Sequence, residues 1–111
     1  MKIFDCILYN GEFEILQLRL EVMGPNVDNI IIVESNYTFS GLRKELKFPG
    51  NKKKIKKEWR DKIIYHPISG FPKNVNTAWE REYYLRNELN NRVPATDSDI
   101  VIIADTDEII N

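Results

Sequence analysis

Asp99-Ile-Val-Ile-Ile-Ala-Asp105-Thr-Asp107-Glu108 is a continuous apolar run that ends in acids. A strand with one wet face would alternate apolar with polar residues. This run does not, and reads as a strand buried on both faces of a parallel or mixed sheet. Asn29-Ile-Ile-Ile-Val-Glu34 has the same character. Such strands need helices over both faces and crossover connections between them, so the expected fold class is α/β. In an open α/β sheet, ligands gather beyond the carboxyl ends of the strands, where Asp105 and Asp107 would emerge. Hard cations take carboxylate and phosphate oxygens together, so an Asp-x-Asp pair at that place is suited to hold a divalent metal against a phosphate. The plainer reading is a helix start, whose acids face the positive end of the dipole. Asp105, Asp107 and Glu108, joined by Asp99 if it turns inward, would concentrate a repulsion that a cation relieves.

Two further apolar segments read as strands, Lys2 to Leu8 and Lys62 to His66. Glu12 to Met23 is ambiguous, because Leu16-Gln-Leu-Arg-Leu-Glu-Val22 alternates like a strand. A helix fits better: the residues are good helix formers, Phe13, Leu16, Leu20 and Met23 recur at helical spacing, and parallel neighbours need a crossover of this length. Gly24-Pro25 would end it as a glycine cap followed by a residue that cannot continue. A second helix spans Ala78 to Arg92, opened by the capping-box spacing of Thr77 and Glu80 and closed by Pro94. Ala78, Leu85 and Leu89 mark its apolar stripe, which Trp79 and Tyr83 are expected to thicken. His66, before Pro67, reads as a strand-end residue. The least regular part, Asn36 to Arg60, contains Lys52-Lys-Lys-Ile-Lys-Lys57, a run whose usual meaning is a solvated basic face.

The 111 residues make one domain, 1–111, of modest size for an enzyme that must enclose a sugar or nucleotide. A net charge of −1 offers no global attraction to nucleic acid, so none is expected as partner. The single Cys6 excludes an internal disulfide and, among apolar neighbours, reads as a buried, inert thiol. No apolar run approaches membrane-spanning length, and Asp5 stands where a signal peptide would have its apolar core, so a cytoplasmic location is expected. Asn36-Tyr37-Thr38 matches a glycosylation sequon, idle without a secretory signal.

The residues around the acids say more than the acids do. Ile3-Phe-Asp5 leads to Tyr9-Asn10-Gly-Glu12, then Glu14-Ile-Leu-Gln-Leu-Arg19-Leu, then Val27-Asp28-Asn-Ile-Ile-Ile-Val-Glu34-Ser-Asn36-Tyr-Thr38-Phe39-Ser-Gly41. Asp61-Lys62-Ile-Ile, Trp79-Glu80-Arg81-Glu82, Arg86-Asn87 and the closing acidic strand follow in order. In this pattern, over nearly the whole chain, the sequence resembles glycosyltransferase family 17, the family of the β-1,4-mannosyl-glycoprotein β-1,4-N-acetylglucosaminyltransferases. The resemblance implies a GT-A type fold, a Rossmann-like, mostly parallel sheet with flanking helices, here truncated after the metal-motif strand. It implies a nucleotide-sugar donor such as UDP-N-acetylglucosamine, a glycan acceptor, and a divalent metal, manganese or magnesium, held by Asp105 and Asp107. Asp5 and Glu34 fall where that fold meets base and ribose. Arg81 and Arg86 are placed to contact donor phosphate or to pair with the acidic motif.

The family's general base and acceptor surface come after the metal motif, and no residue here can be nominated as that base. Glu108, beside the cation, is expected as a ligand or a support for one. Two alternatives stand beside the transferase. One is a non-catalytic binding or interaction module; the other is a phosphatase of the haloacid dehalogenase type, whose Asp-x-Asp also follows an apolar strand. Stopping the sheet at this strand would expose Ile109, Ile110 and a strand edge, so a homo-oligomer is expected.

Overall fold

A computed structural model of the chain describes residues 1–106 and 108. Asp107, Ile109 and Ile110, and the expectations placed on them, lie outside the described residues. Among the described residues the strands are β1 (Ile3–Leu8), β2 (Asn29–Ser35), β3 (Ile63–Ile68) and β4 (Ile100–Asp105), all parallel in the order β3-β2-β1-β4. The helices are α1 (Phe13–Met23), α2 (Phe48–Asn51), α3 (Lys57–Arg60) and α4 (Ala78–Asn91). The expected α/β class is what forms.

Period-two alternation sends successive residues of β1 and β2 to opposite faces. Ile7, Tyr9, Ile30 and Ile32 pack with Leu16 and Leu20 of α1, Phe48 of α2 and Trp59 of α3 on one face. Phe4, Cys6, Leu8, Ile31 and Val33 pack with Leu85 and Leu89 of α4 on the other. Both faces are therefore covered, and apolar runs are the only sequences that satisfy both. Burial pushes the Cys6 thiol up to about 12, as an inert core thiol requires.

The connections fix where a ligand can sit. The chain moves outward from β1 to β2 and β3, and α4 then carries it back across the sheet to β4 on the other side of β1. The winding reverses between β1 and β4, so their carboxyl ends open a crevice. Leu8 and Asp105, the last residues of those strands, stand opposite each other in register.

Several local expectations change. Gly24 is not a left-handed cap: with φ −53° it stays right-handed and opens a 3-10 turn, Gly24–Asn26. Packing is what requires glycine there, since a Cβ would lie 2.8 Å from the Trp59 ring. β3 runs on through Pro67 to Ile68, tolerated because β3 pairs on one side only among the described residues, and its outer edge needs no N–H. β4 is not buried on both faces: Ile100, Val101 and Ile103 are 44, 38 and 45% exposed, against 0–1% for Ile30 to Val33. It has one neighbouring strand among the described residues, and the face of α4 lies over β1 and β2. Trp79 and Tyr83 do not join the stripe of α4. At about 100° per residue Tyr83 lies about 160° around the helix from Leu85, and Tyr84 packs against the core instead. The capping box of Thr77 and Glu80 is present in both directions.

Lys52, Lys53, Lys54, Lys56 and Lys57 are all solvated around the buried Ile55, which anchors the run to the core. Among the described residues no helix is long and apolar enough to cross a membrane.

His66 lies within β3 and is held below the ordinary histidine value, first by burial and then by the Arg92 charge. The fold thus favours the neutral ring. As pH falls through the ordinary 6.5, the unfolded chain takes up a proton that the folded chain resists, so stability is full above that value and declines below it. Denaturant unfolding between about pH 7.5 and 5.5 is expected to show this decline in the wild type and a flatter profile in His66→Gln. Equal slopes in the two would remove His66 from the account.

Candidate functional site

The crevice between β1 and β4 is a cleft of about 210 Å³ lined by Leu8, Asn10, Glu12, Phe39, Glu82, Arg86, Asp105 and Thr106. β4 delivers Asp105 as its last residue, with the side chain 52% exposed. Arg86 Nη2 donates to Asp105 Oδ1 at 2.8 Å and to Glu82 Oε1 at 3.1 Å, so one guanidinium ties the strand end to α4. Around them Glu12, Glu82, Asp105 and Glu108 place more negative than positive charge.

The backbone at the acidic turn is held from below. Arg19 of α1 is fully buried, and its Nε and Nη2 donate to both carboxylate oxygens of Asp5, the first at 2.8 Å. Its Nη1 turns the other way and donates to the carbonyls of Asp105 at 3.0 Å, Thr106 at 3.4 Å and Glu108 at 2.6 Å. Arg19 is therefore a clamp between the middle of β1 and the turn that presents the acids. The turn is closed again by Glu108, whose Oε1 accepts the Asp105 N–H at 2.8 Å while its N–H donates to the Asp105 carbonyl at 3.0 Å. Thr106, 2% exposed, points its hydroxyl at the Leu8 carbonyl.

The expected site residues divide. Arg86 and Asp105 face the cleft together. Asp5 is 1% exposed with both oxygens on Arg19, and Glu34 is fully buried. Glu34 accepts from the backbone N–H groups of Lys47 at 2.7 Å and Phe48 at 3.1 Å and from the Tyr65 hydroxyl at 2.8 Å, so it fastens the start of α2 to β3. Burial, then this carboxylate, raises the Tyr65 hydroxyl above the ordinary tyrosine range. Arg81 donates to the carbonyls of Phe39 at 2.8 Å and Asn76 at 3.1 Å, and its guanidinium packs where a Cβ on Gly41 would sit. Gly41, at φ +89°, closes a turn that only glycine accommodates there, and the turn sets Phe39 in the cleft wall. Asp107 lies outside the described residues. Asp99 does not turn toward the acids; it sits at the opposite end of β4, accepting the N–H groups of Lys2 at 2.8 Å and Thr96 at 2.9 Å.

Sequence reading assigned Arg19 no role. Its signal was present: Arg19 interrupts the buried stripe of Leu16, Leu20 and Met23, and Asp5 interrupts an apolar strand. Two opposite charges on buried faces of neighbouring elements can be stabilised by pairing.

Asp105 supplies a hard oxygen donor whose Oδ2 has no hydrogen bond among the described residues. Those residues hold no group of three His, Cys, Asp or Glu able to bind an ion alone. A cation carried with a diphosphate needs fewer protein ligands, taking one or two carboxylates with phosphate and water oxygens. Asp105 is one such carboxylate among the described residues.

A parallel α/β sheet with an acidic cleft at its switch point is the class of domain these features define. The chain belongs to glycosyltransferase family 17, whose pattern it matches over residues 1–111. It is 31% identical over 118 aligned positions to a human β-1,4-mannosyl-glycoprotein 4-β-N-acetylglucosaminyltransferase, covering 97% of this chain and 22% of that protein. The rat protein of the same name is 31% identical and the mouse protein 30%, each with 97% of this chain and 21% of the relative aligned. The chain thus spans about a fifth of the length of the curated relatives it matches. No solved structure matches it significantly.

Proposed function

We propose that this chain is the donor-binding part of a glycosyltransferase of GT-A type, holding a nucleotide-sugar through a divalent cation for transfer to a glycan. The observation that carries the reading is Asp105, set half-exposed at the switch-point cleft and paired with Arg86. Membership of family 17 supports sugar transfer as the chemistry. The relatives' name supports N-acetylglucosamine as the transferred group and a β-mannosyl glycoprotein as acceptor; uridine diphosphate as its carrier is part of the proposal.

Asp105 and Asp107 would hold the cation, manganese or magnesium, which offsets the charge that develops on the departing nucleoside diphosphate. Arg86 pairs with Asp105 at the cleft and would offer its guanidinium to a donor phosphate there. Arg19 keeps the turn in place throughout, and Arg81 keeps Phe39 in the cleft wall. Asp5 serves the donor site through Arg19, whereas Glu34 holds the start of α2 to the sheet.

Uridine diphosphate with manganese, at about a hundred times its dissociation constant, is expected to raise the melting temperature by about 5 °C or more. Chelation of the metal or Asp105→Ala should remove the rise. Equal stabilisation in the presence of chelator, or in Asp105→Ala, would overturn the reading.

A further inference from the structure

The solvent face of α4 carries two large aromatic residues, Trp79 at 71% and Tyr83 at 56% exposure. Their rings are nearly parallel, 11° apart in plane with centroids 5.5 Å apart. Most exposed apolar residues are scattered singly, so a stacked aromatic pair in water points to something that covers it. Glu82 and Arg86 flank the pair, and the four residues line a surface hollow of about 230 Å³. Glu82 and Arg86 also line the acidic cleft, so hollow and cleft meet at the Arg86 side chain.

We propose that Trp79 and Tyr83 form a stacking platform beside the donor cleft that adds, from before the metal motif, to the acceptor-saccharide surface the family carries after it; this rests on the donor-binding reading above. A pyranose has an apolar C–H face and a rim of hydroxyls. Aromatic faces cover the first, and Glu82 as acceptor with Arg86 as donor can meet the second. A few polar groups converging on an aromatic surface are the usual makeup of a small-ligand site. Glu82 and Arg86 are ion-paired at 3.1 Å, so the hollow carries no net charge of its own and suits a neutral sugar. Position agrees, because transfer needs the acceptor hydroxyl held next to the donor sugar, and the shared residues put the hollow at the mouth of the cleft.

Fluorescence tests this directly. The chain has two tryptophans, and Trp59 is buried at 8% exposure, so acrylamide quenching reports on Trp79. A β-mannosyl oligosaccharide at millimolar concentration is expected to cut the quenching constant at least twofold in the intact protein. Its affinity, measured by titration calorimetry, should fall tenfold or more in Trp79→Ala and in Tyr83→Ala, with circular dichroism showing each variant folded. Uridine diphosphate binding with manganese, followed on the same samples, reports the cleft separately. If the nucleotide binds while the saccharide leaves quenching unchanged, or binds Trp79→Ala as tightly as wild type, the platform is overturned and the cleft reading stands. If the saccharide protects Trp79 and the nucleotide does not bind, the platform stands and the cleft reading falls. Protection by uridine diphosphate alone would assign the rings to the base and overturn the proposal.

Discussion

Arg19→Met is expected to cost about 3–5 kcal/mol of folding stability, the range for stranding one partner of a buried ion pair. Asp5 would be left 1% exposed with no cation, and the carbonyls of Asp105, Thr106 and Glu108 would lose their shared donor. These two losses can be separated. Replacing a buried pair by apolar residues of similar volume is often near neutral, so Arg19→Met with Asp5→Leu should recover much of the stability. It should not recover nucleotide binding, because the turn that presents Asp105 still lacks its clamp. Denaturant unfolding and nucleotide titration on the two variants check both parts. A double variant that binds as wild type would reduce Arg19 to a core ion pair.

Glu34→Ala is expected to cost about 3 kcal/mol or more, since it leaves the N–H groups of Lys47 and Phe48 and the Tyr65 hydroxyl without their acceptor. Glu34→Gln keeps an acceptor oxygen but turns an amide N–H toward a donor, and should fall between wild type and Glu34→Ala. Because Glu34 faces Lys47, Phe48 and Tyr65 and is fully buried, the folded fraction of either variant should still bind nucleotide with wild-type affinity. A large loss of affinity in Glu34→Gln at unchanged stability would instead make it a donor contact.

Much of this fold was legible because its determinants are local. β2 declares itself through Ile30-Ile-Ile-Val33, which both faces of the sheet bury, and α4 through the capping box of Thr77 and Glu80. β4 was legible as a strand but not as exposed, since the same apolar run serves an edge whose far side nothing covers among the described residues. Gly24 could not be read correctly, because its reason is Trp59, which packs on it from α3, distant in sequence. Trp79 and Tyr83 were misplaced because aromatic character outweighed their angular position on the helix. At the site, Asp105 and Arg86 were legible as residues, and pairing with the acidic motif was one of the two roles read for Arg86; which acid it meets depends on α4 and β4 meeting at the switch point. Arg19 stayed unread because a charge on an apolar stripe finds its meaning in partners 14 and 86 residues away.

The central claim is that Asp105 lies at a cation site completed by a nucleotide diphosphate, and paramagnetic broadening tests it most directly. With manganese and uridine diphosphate together, backbone amide signals of residues 8–10 and 104–106 are expected to broaden first. Either component alone should leave them sharp, and Asp105→Ala should abolish the effect. Broadening centred on other surface carboxylates, such as Glu45 or Glu58, or unchanged by the nucleotide and by Asp105→Ala, would contradict it.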